Sequence, residues 1–266
     1  MDILDEIVAH KRQELCEQKA IVPPAELYQM VEREISEGNR RMLSMRESLL
    51  RSSSGIIAEF KRKSPSKGWI HEDAQVEDVT RQYVCGGASA LSILTDNRYF
   101  GGDMRFIRRV RQCTDIPILR KDFIIDEYQL FQARLIGADA VLLIAADLSA
   151  DALSSLARTA HQLGLETLLE VHRESELGYI TDDIDMIGVN NRNLGTFTVD
   201  VENSIRMSSV LPSHLPWVSE SGIDSAETVA VLRRLGYRGF LIGEAFMRTK
   251  EPGQALQEFI SKLDVL

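Results

Sequence analysis

Eight short apolar runs recur after Gly55 at intervals of about 20 to 35 residues. They are GIIAEFK (55–61), ALSILT (90–95), PILRKDF (117–123), AVLLIAA (140–146), ETLLEV (166–171), MIGVNNR (186–192), WVSESG (217–222) and GFLIGE (239–244). Each has the length of a buried strand. Amphipathic helical patterns such as DEYQLFQARLIGA and SAETVAVLRRLGY lie between them. Strands alternating with helices require a parallel sheet, because a parallel neighbour is reached only by a crossover. Eight such units in the roughly 210 residues that remain imply a closed (β/α)8 TIM barrel rather than an open doubly wound sheet. No GxGxxG follows the first run, which counts against a dinucleotide site.

Residues 1–48 read differently. Ile3, Leu4, Ile7 and Val8 recur at helical spacing with charges between them. Pro23 and Pro24 break that helix, and AELYQMVEREISEG begins a second one, with Pro24 suited to a first turn. The expected organisation is an N-terminal helical extension over 1–48 packed on a catalytic barrel over 49–266.

Side chains alternate across a strand. In the first run Ile56, Ala58 and Phe60 share one face, and Ile57, Glu59 and Lys61 the other. The charged face points into the barrel, at the C-terminal strand end where barrel active sites are built. The parity repeats: Leu119 with Lys121 and Phe123, Leu168 with Glu170, Gly188 with Asn190 and Arg192, Val218 with Glu220 and Gly222. One inward Lys–Glu pair is equally well explained as a structural ion pair, and Phe100 or Phe123 alone as core. Charged or polar ends on five strands are not, since a buried charge costs several kcal/mol unless paired. Glycines after the last two strands, at Gly222 and Gly243, leave backbone N–H groups there and at Glu244 free to hold an anion. The Glu244 carboxylate is then expected to face away.

Bulk properties narrow the partners. The formal net charge of −9 argues against nucleic acid and against an anionic membrane. The longest apolar runs are too short to span a bilayer, and the N-terminus lacks the apolar core of a secretory leader. Cys16, Cys85 and Cys113 form no CxxC and read as reduced thiols, giving a cytoplasmic expectation. The five histidines show no metal-ligand spacing, so no metal is expected. The sequence leaves monomer and homodimer open.

The composite motifs IIAEFKRKSPSKG, LTDNRYFGGD, PILRKDFIIDEYQ, GADAVLLIA, LLEVH, IGVNNRNL, VSESGI and LIGEAFMR, in that order, resemble the indole-3-glycerol-phosphate synthase family of tryptophan biosynthesis. The resemblance covers the whole barrel and extends to the helical N-terminal segment. It implies a small phosphorylated substrate, 1-(2-carboxyphenylamino)-1-deoxyribulose 5-phosphate, with ring closure, decarboxylation and dehydration and no cofactor. It also implies roles. Lys121 is the general acid on the ketone oxygen. Glu170 stabilises the cation formed on ring closure, or acts as base. Lys61 binds an anionic group and supplies the acid for dehydration, with Glu59 as its paired base or orienter. Asn190 and Glu220 position the substrate's hydroxyl and amine groups. Ser64, Ser221, Gly222, Gly243 and the Glu244 amide hold phosphate, and Arg192 meets phosphate or carboxylate. Pro65, Phe100, Phe123, Leu142 and Leu194 wall the aromatic ring.

A ketone that must become a leaving hydroxyl needs a positioned acid. Lys61 and Lys121 clustered in a partly dry mouth are expected to depress a lysine pKa from its usual ~10.4. Two rivals remain: a Schiff-base aldolase with Lys121 as nucleophile, which gives EFKRKSPSKG and NNRNL no task, and an inactive barrel serving as a binding subunit, which has no reason to keep Glu59, Lys61, Lys121 and Glu170 together.

Overall fold

The eight runs form eight parallel strands in a computed structural model that describes residues 3–38, 40–193 and 195–266. They are β1 Ile56–Phe60, β2 Ala90–Leu94, β3 Ile118–Lys121, β4 Ala140–Ile144, β5 Glu166–Val171, β6 Met186–Asn190, β7 Trp217–Glu220 and β8 Gly239–Ile242. Each pairs with the next, and β8 pairs with β1 to close the barrel. Seven of the eight strands are shorter than the apolar runs, because the last residues of those runs leave the sheet to build the mouth. After β4, for example, Ala145–Asp147 turns as a 3₁₀ segment.

The two faces of β1 part as their parity requires. Ile56, Ala58 and Phe60 join the core between strands and helices, while Ile57 joins Ala90, Leu119, Ala140, Leu168 and Val218 inside the barrel. The crossover helices start and stop where capping chemistry dictates. Asp126 and Gln129 form a capping box at the helix Glu127–Ile136, which Gly137 ends at φ 102°. Ser225 caps Ala226–Arg234.

The N-terminal segment forms α1 Ile3–Ile21, α2 Pro24–Ser36 and α3 Met45–Arg51. Pro24 occupies the first turn of α2, where its missing N–H costs nothing. α1 lies against the loops after β2 and β3: Tyr99 Oη donates to Glu6 at 2.9 Å and Lys19 meets Asp126 at 2.7 Å. α2 packs on the helix Glu127–Ile136, with Tyr28 stacked on Phe131 at 3.9 Å between ring centroids. The chain then crosses to the opposite end of the barrel. Arg40 pairs there with Asp139 at 2.6 Å, and Ser44 donates to Glu166 at 2.5 Å. α3 runs through the expected boundary at residue 48. Its Met45 and Leu49 are buried among Ile57, Ala90 and Val218 and plug the barrel floor. Two such side chains contribute roughly 1.5–3 kcal/mol each by burial.

An unexpected element follows β1. Lys63–Ser64 and Gly68–Trp69 pair antiparallel as a two-residue-wide hairpin around a turn at 65–67, with Gly68 at φ 67° starting the return strand. Arg62 ties it down by donating to the Gly101 carbonyl at 2.8 and 3.1 Å, and the Arg62 and Lys63 cations lie 5.6 Å from the Trp69 ring centroid.

Candidate active site

A cavity of about 530 Å³ opens at the C-terminal end of the barrel, within the range of small-molecule sites. It is lined by five charged residues that strand parity had turned inward: Glu59, Lys61, Lys121, Glu170 and Glu220. Asn190, Arg192, Phe100, Phe123, Leu142, Ser221, Gly222, Gly243 and Glu244 complete the wall named from sequence.

The pairing at its base is specific. The Lys121 ammonium lies 3.1 Å from Glu170 Oε2 and 2.9 Å from Glu220 Oε2. The other Glu170 oxygen accepts from Asn190 Nδ2 at 2.8 Å and lies 3.5 Å from His172. Strand register produces this: Gly188 stands beside Glu170, and Asn190 beside Glu220. Gly188 leaves room for the Glu220 carboxylate; a Cβ there would lie 2.1 Å from Glu220 Oε1 and displace it. On the neighbouring side Lys61 pairs with Glu59 at 2.8 Å. Gly243 makes room for that carboxylate; a Cβ there would meet Glu59 Oε1 at 2.5 Å.

These contacts split the carboxylates. Burial alone pushes the Glu170 carboxyl up, but the Lys121 ammonium, the His172 ring and the Asn190 amide together hold it below its ordinary range. Burial wins at Glu220, which is pushed up to about 7 despite Lys121, with Glu170 and Glu59 adding to the rise. Lys121 moves the opposite way from the expected depression. Burial lowers it, yet the charges of Glu170, Glu220 and Glu59 raise it above the usual lysine value. The repulsion expected from Lys61 is outweighed because each lysine has its own carboxylate within 3 Å. Outside this cluster, burial raises Asp147 to about 8, with Glu170 and Asp5 contributing.

The rim holds a second charged group. Lys67, on the hairpin after β1, meets Glu244 at 2.5 Å, and Arg192 lies 4.0 Å from the same carboxylate. Glu244 is thus neutralised by a cation from the hairpin rather than simply turned away. Ser221, at φ 68°, is one of two described non-glycine residues with positive φ, and Gly222 follows at φ 75°. Glycine takes such a conformation freely, so the strain of this turn sits on Ser221, beside the cavity.

Phe100 and Phe123 stand 6.0 Å apart between ring centroids at 38°, forming one apolar side. Ser64 and Pro65 do not line the cavity. Ser64 is buried in the hairpin with its hydroxyl unpartnered, and the adjacent Ser66 and Lys67 line the cavity instead. Leu194 lies outside the described residues. Phe197, Val199, Ile144 and Arg248 also line the cavity and were not picked from sequence. Lys67 sits within the SPSKG motif and could have been found there. Phe197 and Val199 belong to a loop with no periodicity to orient them.

Among the described residues, no group of three His, Cys, Asp or Glu is arranged to hold a metal, and no helix is long and apolar enough to cross a membrane.

Residues 4–259 match the family described as indole-3-glycerol phosphate synthase. A relative so named from Bacteroides thetaiotaomicron is 54% identical over 262 residues, covering 98% of this chain and 99% of the relative. One from Acidithiobacillus ferrooxidans is 44% identical over 258 residues, covering 96% and 97%. Among solved structures, KGPDC from Streptococcus mutans superposes with a TM-score of 0.62 at 10% identity, covering 79% of this chain and 97% of that one. Tryptophan synthase subunit alpha from Legionella pneumophila gives 0.58 at 16% identity, covering 90% and 98%. At such identities these two speak for the barrel fold alone.

Proposed function

The chain belongs to the indole-3-glycerol phosphate synthase family, and from that premise we propose how its barrel mouth divides the labour of the reaction. The reaction closes the ring of 1-(2-carboxyphenylamino)-1-deoxyribulose 5-phosphate onto its ketone carbon, then releases CO2 and water to give indole-3-glycerol phosphate. It is a carboxy-lyase step of tryptophan biosynthesis.

The observation that carries the assignment of roles is the Lys121 ammonium held between Glu170 and Glu220 under an aromatic wall. An ammonium kept charged by two carboxylates is a proton donor at neutral pH, not a nucleophile. Lys121 donates to the ketone oxygen as the new bond forms. Glu170 stays ionised and faces the positive charge that then develops, where a fixed carboxylate in a dry site is most effective. Lys61 binds an anionic group of the substrate and supplies the proton for departure of the hydroxyl, and its paired base Glu59 accepts the proton that the new ring then loses to become aromatic. Asn190 and Glu220 position the hydroxyl and amine groups. The turn Ser221–Gly222 and the backbone at Gly243 and Glu244 receive the phosphate, with Arg192 contributing charge at the rim. Phe100, Phe123 and Leu142 hold the aromatic ring.

The segment 1–48 serves this mouth, supported by the contacts of α1 with the loops after β2 and β3. We further place the enzyme in the cytoplasm as a monomer or homodimer without nucleic-acid or membrane partners. Support for this comes from its net charge of −9 and three exposed free cysteines.

Purified protein incubated with the carboxyphenylamino-deoxyribulose phosphate should develop indole fluorescence. Release of CO2 without fluorescence, or no turnover at all, would overturn this reading.

A further inference from the structure

Lysine is almost never fully buried unless paired, yet Lys11 of α1 is only 2% exposed. It falls on the inward stripe of the helix, with Ile7, Val8 and Leu15. Its ammonium hydrogen-bonds Glu14 at 2.8 Å and lies 3.1 Å from both Asp96 and Asp122. Asp96 and Asp122 are themselves 1% and 3% exposed. Burial opposes the charge, but Asp122, Asp96 and Glu14 more than restore it and raise Lys11 above the usual lysine value. On the other side of the contact, burial is likewise overridden: Lys11 and Arg120 hold the Asp122 carboxyl down at about 2.

The two aspartates are placed where they matter. Asp96 caps the short helix Asn97–Phe100, accepting from Tyr99 N at 2.8 Å, and so sets the turn that carries Phe100. Asp122 stands between Lys121 and Phe123 in the chain and accepts from the Phe123 amide at 2.9 Å. Thr95 and Arg120 hold its second oxygen at 2.6 and 2.9 Å. Phe100 and Phe123 form the two rings of the aromatic wall. One buried cation on the extension therefore joins the two loops whose separation sets the width of that wall. A lysine that only anchored α1 would have no reason to reach both.

We propose that Lys11 is a positioning residue for the reaction: it holds the loops after β2 and β3 at the spacing that grips the substrate's aromatic ring, acting through Asp96 and Asp122. This rests on the ring-wall assignment made above. It predicts that Lys11→Met weakens substrate binding more than chemistry. KM should rise about tenfold, the equivalent of ~1.4 kcal/mol in binding, while kcat stays within about threefold of the parent.

The test is a double-mutant cycle of Lys11→Met and Phe100→Ala, with KM and kcat from indole fluorescence and Tm from circular dichroism. Residues acting through one another give non-additive effects, whereas independent sites add. The double variant should show little more KM increase than Phe100→Ala alone. A normal KM in Lys11→Met beside a lowered Tm, or KM increases that multiply, would overturn the proposal and leave Lys11 a structural anchor. Should Lys11→Met fail to fold, Asp96→Asn replaces it, because asparagine still caps a helix while losing the charge that Lys11 meets. An increase of KM by about threefold in that variant, at the low end of the net worth of one intramolecular hydrogen bond, supports the proposal, and an unchanged KM overturns it. A normal KM in Phe100→Ala would overturn the ring-wall assignment and the route from Lys11 with it. A raised KM there beside a normal Lys11→Met overturns only the role of Lys11.

Discussion

Replacing Lys121 by methionine removes the charge that two buried carboxylates face while keeping most of the side-chain volume. Glu170 and Glu220 are 2% and 1% exposed, and their oxygens lie 3.1 and 2.9 Å from the ammonium. Taking away one partner of a buried ionic group costs ~3–5 kcal/mol, because the remaining charges stay desolvated. The remaining groups can escape that cost by binding a proton. Glu220 already has its pKa raised by burial to about 7 with Lys121 present, and Glu170 loses its largest downward influence when Lys121 goes. Both carboxyls in the variant therefore have folded-state pKa values higher than in the parent, and that of Glu220, already raised, moves further above its unfolded value.

The sign follows from linkage. A carboxyl with a raised folded pKa makes the native state bind more protons than the unfolded one, so stability falls as pH rises through the interval between the two values. The deficit of Lys121→Met relative to the parent should be smallest near pH 5 and grow toward pH 8. One unit of additional pKa rise corresponds to ~1.4 kcal/mol, so the growth should reach at least ~1–2 kcal/mol. Urea unfolding followed by the fluorescence of Trp69 and Trp217 at several pH values measures it. Turnover at neutral pH should fall by about 10²- to 10⁴-fold, the scale of a positioned acid, with product binding changed less. A deficit that does not vary with pH would show that the ammonium is not holding these two carboxylates as described. Turnover within threefold of the parent would remove Lys121 as the acid.

Glu170→Gln keeps the shape and the Asn190 contact but not the charge, so kcat should drop by about 10²-fold or more; near-normal turnover would take Glu170 out of the mechanism. Since Glu170 is held ionised below the ordinary carboxylate range, the acid side of the parent's rate profile should not contain its loss above about pH 4.5, the unshifted value. Truncation of the chain before about Arg46 should raise KM more than it lowers Tm, because α1 braces the mouth loops; an unchanged KM would leave the extension a purely structural cover. Borohydride added during turnover, followed by intact-mass measurement, should find no adduct, since an aldolase lysine must shed its proton before attacking a carbonyl and Lys121 is held charged. A substrate-sized mass increase on Lys121 with lost activity would refute the acid role.

Strand parity was legible because its period is two and its hydrophobic contrast is strong. Ile57 and Glu59 could be assigned to the interior from GIIAEFK alone, and Leu168 with Glu170 from ETLLEV. The hairpin at Lys63–Trp69 was not, because two-residue strands leave no periodic trace. Phe197 and Val199 reach the cavity from a loop, where no period orients a side chain. Lys11 was hidden for a different reason. In IVAHKRQEL it reads as one charge in a solvated face, and its burial depends on Asp96 and Asp122, more than eighty residues away in the chain.

Parity also gives the face of a side chain but not its partner, and that is where the reading of the lysines failed. Two lysines in one mouth suggest mutual repulsion. Barrel register instead seats Lys121 between Glu170 and Glu220, and Lys61 on Glu59. Gly188 was the available clue: a glycine inside a buried strand marks a close approach, here by the Glu220 carboxylate. The resulting cluster has two ammoniums against three carboxylates, so one negative charge is left over. Burial places that excess on Glu220, whose carboxyl titrates near neutrality. Protonation of Glu220 therefore brings the cluster to neutrality without disturbing the Glu170 charge on which the proposed chemistry depends. An anionic substrate favours that neutral state, since it would otherwise be repelled at the cavity floor. On the proposed reading its phosphate finds positive charge higher up, where Lys67 and Arg192 are held beside Glu244. Attraction at the rim and charge balance at the floor are separate tasks, carried by separate ion pairs.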